Sequence, residues 1–133
     1  MKFPPQPSGV HPLTWSMPTG PIKRKLAAGK VSLGSWLTFS DPAAAEILAG
    51  AGFEWLVVDM EHSSLCIQSA TQLIRTISLA GICPLVRLPA NDPVAAKRAM
   101  DAGAWGVIVP MVNSREEAEA AVASVKYPPR GRR

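Results

Sequence analysis

Short apolar runs alternate with amphipathic stretches along most of the chain, a pattern typical of strands and helices that take turns. The clearest run, Leu56-Val57-Val58, is apolar at every position, as in strands buried on both faces of a parallel sheet. Two of the helical stretches open with an Asp-Pro pair, in which aspartate is expected to cap the helix and proline to occupy its first turn. The predicted helices cover residues 21–29, 41–52, 67–80, 92–103 and 114–126, and the predicted strands cover residues 32–39, 55–59, 84–89 and 106–112.

The two Asp-Pro helices, which begin at Asp41 and Asp92, mark an internal repeat. Each ends at an Ala-Gly pair and is followed by a tryptophan and a buried-type strand. Repeated strand–helix units of about 25 residues favour a parallel sheet with right-handed crossovers, as in a (β/α)8 barrel of about 250 residues. Only four units are present, so the predicted fold is α/β, a parallel (βα)4 half of a (β/α)8 TIM barrel with an N-terminal helix. Trp36, Trp55 and Trp105 are expected to pack mainly in its core.

Composition is that of a globular protein and argues against two classes of partner. With 133 residues, 47% of them hydrophobic, the chain can form one domain, predicted over residues 21–133, behind a flexible Pro-rich tail over residues 1–20. No apolar run approaches the roughly 20 residues of a membrane span, so no membrane partner is expected. Residues 31–125 hold five basic and ten acidic residues, the opposite of the basic surface expected of a nucleic-acid-binding protein. Two cysteines without a Cys-x-x-Cys spacing favour a reduced, cytoplasmic compartment.

Polar side chains follow the predicted strands where each strand ends. Asp59, Glu61 and His62 lie at the end of the second strand, and Arg87 stands next to the exit of the third. The carboxyl ends of parallel strands meet at one edge of a sheet, where the active sites of such proteins lie. A guanidinium group can bind two oxygens of a carboxylate or keto acid at once. The residues therefore predict a site for a small anionic substrate, although they leave open that Arg87 is a salt-bridge partner of Asp59.

Several motifs, taken together, resemble the HpcH/HpaI aldolase family. Gly52-Phe53-Glu54-Trp55 leads into Val58-Asp59-Met60-Glu61-His62, which is similar to the G-F-D-W…D-x-E-H signature of that family. The resemblance continues in order over roughly residues 22–133, through Pro84-Leu85-Val86-Arg87, Asn91-Asp92-Pro93, Asp101-Ala102-Gly103, Val109-Pro110-Met111-Val112 and residues 127–133. It implies a divalent-metal-dependent aldolase that cleaves 4-hydroxy-2-keto acids to pyruvate and an aldehyde. It also implies a TIM barrel that assembles as a homo-oligomer, usually a hexamer.

The resemblance implies a role for each site residue. His62 is expected to be the base that takes the C4 hydroxyl proton, directly or through a water, with Asp101 as its carboxylate partner. For Asp101, which stands near a helix end, a structural role in a turn is the alternative. Arg87 is expected to bind the pyruvyl oxygens and stabilise the negative charge that develops on them. Asp59 and Glu61 are expected to hydrogen-bond waters on the metal.

A divalent metal, Mg²⁺, Mn²⁺ or Co²⁺, is the cofactor that the resemblance implies. Its ligands in the family are a glutamate at the end of the fifth strand and an aspartate after the sixth, and no motif before Arg133 corresponds to either. The ligands are therefore expected beyond Arg133. Two functions remain open at this stage. One is a truncated form of a metal-dependent aldolase, and the other is a non-catalytic half-barrel that acts by self-association or by pairing with another chain.

Overall fold

A computed structural model describes residues 20–133, so the predicted tail over residues 1–20, apart from Gly20, lies outside the described residues. In this part of the chain helices and strands alternate as the sequence predicts. The elements are α1 (Pro21–Ala27), β1 (Gly34–Leu37), α2 (Pro42–Gly50), β2 (Trp55–Asp59), α3 (Ile67–Leu79), β3 (Cys83–Arg87), α4 (Pro93–Asp101), β4 (Gly106–Ile108) and α5 (Arg115–Ser124). None of the helices in this range has the length and apolar character that crossing a membrane requires.

The four strands form one parallel sheet in the order β1-β2-β3-β4, which confirms the predicted half-barrel arrangement. Consecutive strands are neighbours, and each pair is joined by a helix, so every crossover is of the strand–helix–strand kind. The register places Trp36 beside Val57 and Asp59 beside Arg87. Because all strands run the same way, their carboxyl ends lie along one edge, and the last residues of β2 and β3 meet there.

Side-chain caps fix where the helices begin. Asp41 accepts a hydrogen bond from the backbone N–H of Ala43 at 2.9 Å, and Asp92 accepts from the N–H groups of Val94 and Ala95. The predicted Asp-Pro starts of α2 and α4 are therefore confirmed. In α5 the Ser114 side chain accepts from the third helical residue, whose own side chain accepts from the backbone of Ser114, forming a capping box.

The sheet has two chemically different faces because side chains alternate along each strand. One face packs against the helices and forms the hydrophobic core, which includes Leu37, Leu56, Val58 and Val86 from the strands and Leu73, Ile74 and Ile77 from α3. The register and the alternation place another set of side chains on the face opposite the helices, namely Trp36, Val57, Asp59, Leu85, Arg87 and Ile108. We call this set the open face, and it carries the polar residues of the site.

Two of the three tryptophans expected in the core are largely exposed, so that prediction is wrong for them. Trp36, on the open face, is 42% exposed, and Trp105, in the loop before β4, is 56% exposed. Trp55 is half-buried and lies over Gly34, where any side chain would collide with its ring. An apolar aromatic residue in a strand was therefore not sufficient to identify the core side of the sheet.

Strand β4 is shorter than the predicted 106–112 and ends at Ile108. Pro110 cannot donate a backbone hydrogen bond to a neighbouring strand. Met111 then has a backbone φ of 55°, in the left-handed region that side chains other than glycine rarely adopt. The Asn113 side chain donates to the Met111 carbonyl at 2.9 Å, which holds this turn at the carboxyl end of the sheet.

Candidate active site

The centre of the candidate site is an ion pair between the last residues of β2 and β3. Arg87 donates from Nε to Oδ1 of Asp59 at 2.8 Å and from Nη2 to Oδ2 at 2.5 Å. This two-point geometry is the strongest form of an arginine–carboxylate pair. Arg87 is thus a salt-bridge partner of Asp59, as one reading of the sequence had it. That role leaves Nη1 without a partner among residues 20–133, so the pair does not compete with binding an oxygen of a substrate.

Asp59 is almost fully buried, at 2% exposed, and it remains ionised because its partners favour the charged form. Its Oδ1 also accepts from the backbone N–H groups of Glu61 at 3.0 Å and His62 at 3.2 Å. The hydrogen bonds from Arg87 lower the pKa of the Asp59 carboxyl most, and with the backbone donors they outweigh burial and bring it to about 2. The same pairing raises the pKa of Arg87.

This low pKa predicts an acid-dependent loss of stability. In the unfolded chain the Asp59 carboxyl titrates near its ordinary value of 3.8, so its pairing stabilises the fold fully above that pH and progressively less as the pH falls toward about 2. We expect this group to lower the free energy of unfolding by about 2 kcal/mol between about pH 4 and about pH 2. Urea denaturation across this range measures the slope, and Asp59→Asn is expected to flatten it. An unchanged slope in the variant would contradict the assignment.

Glu61 and His62 extend the charged cluster toward solvent. Glu61 Oε2 lies 3.4 Å from Arg87 Nε and 3.7 Å from His62 Nε2. The Glu61 side chain is mostly buried, whereas the His62 side chain is 69% exposed. The Ser63 hydroxyl donates to the Asp59 carbonyl and accepts from the Leu65 N–H, so the loop that carries the histidine is closed on itself. The imidazole therefore projects from a fixed loop at the rim of the site.

The structure does not bring Asp101 to His62 within one copy of the chain. Helix α4 starts after the carboxyl end of β3 and runs back, so Asp101, its last residue, lies toward the amino end of the sheet, shortly before β4 begins. Its carboxylate instead accepts from Arg133 Nη2 at 2.6 Å. The Arg133 guanidinium also stacks on the Tyr127 ring at 4.8 Å. The predicted dyad would therefore require Asp101 of a second copy.

Trp36 belongs to the site although the sequence placed it in the core. The central carbon of the Arg87 guanidinium lies 4.6 Å from the centre of the Trp36 ring, within the range of a cation–π contact. A sequence signal for this placement was available. The strand alternation puts Trp36 on the opposite face from Leu37, which is fully buried against the helices.

The residues that the structure describes do not fit the divalent metal that the resemblance implies. In residues 20–133 no group of three or more His, Cys, Asp or Glu side chains is arranged to hold a metal ion. Both carboxylate oxygens of Asp59 are hydrogen-bonded to Arg87, and Glu61 also faces that arginine. A metal would therefore need ligands from outside this range. The contact of Asp59 and Glu61 with metal-bound waters stays a prediction.

Four parallel strand–helix units, with charged side chains at the carboxyl ends of the strands, define half of a TIM barrel. Residues 32–133 match the family model described as HpcH/HpaI aldolase/citrate lyase. The chain belongs to the HpcH/HpaI aldolase family.

Relatives and solved structures agree with this assignment. The chain is 48% identical to the 2-dehydro-3,6-dideoxy-6-sulfogluconate aldolase of Pseudomonas putida, over 76% of this chain and 40% of that protein. It is 42% identical to the pyruvate aldolase of Rhizobium etli, over 86% of this chain and 45% of that protein. The crystal structure of the HpcH/HpaI aldolase from Desulfitobacterium hafniense superimposes with a TM-score of 0.76 at 36% identity, over 83% of this chain and 43% of that one. The chain thus spans less than half the length of these relatives.

Proposed function

We propose that this chain forms one wall of the active site of an aldolase that cleaves 4-hydroxy-2-keto acids to pyruvate and an aldehyde. The observation that carries the proposal is the Arg87 guanidinium, which Asp59 holds at the carboxyl end of the sheet and whose Nη1 has no partner among residues 20–133. Membership of the HpcH/HpaI family supports a carbon–carbon lyase. A relative named as a pyruvate aldolase and another that acts on a dideoxy sugar acid support the keto acid as substrate class.

Arg87 is the group proposed to bind the keto acid. A guanidinium with one edge fixed by a carboxylate can offer its remaining N–H donors to the carboxylate and keto oxygens of the substrate. When the C3–C4 bond breaks, its electron pair passes to C3 and the C2 oxygen becomes an enolate. A cation already held in place stabilises that charge without having to reorganise during the reaction.

His62 is proposed to take the proton of the C4 hydroxyl. Loss of this proton lets the C4 oxygen form the aldehyde carbonyl as the C3–C4 bond breaks, and a proton returned to C3 completes pyruvate. The exposed imidazole at the rim, close to the Arg87 cluster, can accept this proton directly or through a water. A histidine is suited to this task because its charge changes near neutral pH.

Assembly is part of the proposal because one copy does not unite the predicted dyad. Asp101 and His62 lie toward opposite ends of the sheet, so a homo-oligomer, such as the hexamer that the resemblance implies, is needed for Asp101 to orient the histidine of a neighbour. Within one copy Asp101 has a structural partner in Arg133. Cytoplasmic location stays a prediction from the cysteines, both of which are free.

Metal dependence is proposed for a longer form that carries ligands beyond Arg133. No reaction step of residues 20–133 is assigned to the metal, since these residues hold no group able to bind it. The test measures pyruvate release from a panel of 4-hydroxy-2-keto acids with Mg²⁺, Mn²⁺ or Co²⁺, by the 133-residue chain and by the longer form. Release by the longer form alone is expected. Turnover by the short chain would contradict the need for the missing ligands, and no release by either would contradict the aldolase proposal.

The non-catalytic alternative rests on the edges of the sheet. Strands β1 and β4 are the outer strands, so each has one side without a neighbouring strand in the part of the chain described. Unpaired edges can recruit a strand from another chain. Sedimentation of the 133-residue chain tests this alternative: a stable dimer without any pyruvate release from the longer form would favour it over the aldolase.

A further inference from the structure

We propose that Trp36 is a positioning residue that orients Arg87 toward the keto acid. The proposal rests on the proposed function, because it concerns the substrate that Arg87 binds. It goes further by assigning a role to a side chain that lies outside the motifs named above. Three observations on the open face carry it: the path of the Arg87 side chain, the division of its contacts, and the exposure of Trp36.

The side chains of Arg87 and Trp36 meet over strand β2. Arg87 is on β3 and Trp36 on β1, and two strand spacings amount to about 10 Å. The guanidinium nevertheless lies 4.6 Å from the centre of the Trp36 ring. Both side chains therefore extend over β2, and the Arg87 guanidinium lies beside Asp59. This conformation aims the charge at the middle of the open face.

The guanidinium has two kinds of contact: carboxylates bind it through Nε and Nη2, and the Trp36 ring lies near its central carbon. Asp59 binds the edge formed by Nε and Nη2, and Glu61 lies 3.4 Å from Nε on the same side. An ion pair along one edge still lets the planar group tilt about that edge. The Trp36 ring restricts this movement because its centre lies 4.6 Å from the Cζ atom of Arg87. What remains for a planar carboxylate is the side of the guanidinium that carries Nη1.

Trp36 lies on the face of the sheet that the helices do not cover, so packing in the core does not hold it there. The ring is 42% exposed, and the core forms on the other face of the sheet. A tryptophan face is the best aromatic partner for a cation, and it also keeps water from one side of the charge. Ordering a long, flexible arginine costs conformational entropy, so a group that orders it in advance strengthens substrate binding.

The variants that test the proposal are Trp36→Leu, Trp36→Phe and, as a control, Trp105→Leu. Leucine keeps apolar bulk but has no ring, and phenylalanine keeps a ring. Trp105 is also an exposed tryptophan, but it lies before β4, toward the amino end of the sheet. In the longer form that carries the metal ligands, we expect Trp36→Leu to raise KM for the keto acid roughly 3- to 30-fold with little change in kcat. We expect KM to stay close to the wild-type value in Trp36→Phe and to be unchanged in Trp105→Leu.

The KM-against-kcat split separates positioning from a structural role. A variant that only reduces the fraction of folded molecules lowers the apparent kcat and leaves KM unchanged. That result for Trp36→Leu would overturn the proposal. So would equal effects of Trp36→Leu and Trp105→Leu. A second readout does not depend on turnover: NMR relaxation of the Arg87 Nε–H group in the 133-residue chain. Greater mobility in Trp36→Leu than in Trp36→Phe supports the positioning role even if no keto acid is cleaved, and unchanged mobility overturns it.

Discussion

Replacing His62 with alanine is expected to lower the rate of pyruvate release roughly 10²- to 10⁴-fold in the longer form that carries the metal ligands. The reason is that His62 carries the only imidazole of the described cluster and its side chain is exposed at the rim. Asp59 is buried and tied to Arg87, and Glu61 is turned toward the same arginine. Steady-state measurement of pyruvate release at pH 7 to 8, at saturating keto acid, gives the comparison.

Stability measurements separate this effect from damage to the fold. The His62 side chain is largely exposed, and Asp59 anchors its backbone N–H, not its ring. We therefore expect His62→Ala to change the free energy of unfolding by less than about 0.5 kcal/mol. His62→Gln, which keeps hydrogen bonding but cannot act as a base, is expected to be as slow as His62→Ala. Full turnover by either variant would show that the base is another group.

Replacing Arg87 with methionine is expected to affect both stability and binding. The substitution leaves the Asp59 carboxylate buried without its cation, which is expected to lower the free energy of unfolding. It also removes the proposed donor to the keto acid, so pyruvate release is expected to be lost. Urea denaturation and the pyruvate assay measure the two effects.

A double variant keeps the two effects of Arg87 apart. In Asp59→Asn with Arg87→Met the buried carboxylate of residue 59 is gone and its amide oxygen can still accept from the backbone N–H groups of Glu61 and His62, so part of the lost stability is expected to return. Catalysis is not expected to return, because the guanidinium is still absent. Recovery of pyruvate release in the double variant would contradict the role of Arg87 in binding. Arg87→Lys is the milder comparison, since an ammonium group keeps the charge but cannot reproduce the two-point contact.

The fold could be predicted from the sequence because its signals are local. Asp41 and Asp92 start helices by capping their own backbone, and the run before Asp59 is apolar at every position. Such features need no knowledge of distant contacts. The meeting of Asp59 and Arg87 also followed from local signals, since both residues end neighbouring parallel strands.

The remaining site features depend on which direction each side chain or helix takes. Trp36 was assigned to the core because an aromatic residue in a strand suits a core as well as a pocket wall. Its position beside the fully buried Leu37 resolves this only when the helix-covered face is known. Asp101 was paired with His62 by motif, whereas the direction of α4 carries it toward the other end of the sheet. The predicted topology implies the same direction for α4, so the separation of Asp101 from His62 within one copy follows from it.

The pairing of Asp59 with Arg87 also has a consequence for how the chain folds. If β3 slipped by one residue against β2, Val86 or Leu88 would stand opposite Asp59, and both are core residues. The aspartate would then be buried without a cation, and the apolar side chains of β3 would turn to the wrong face. A misaligned β3 is therefore less stable than the native pairing. Asp59 and Arg87, which are proposed to form the substrate site, thus also favour the correct register between β2 and β3.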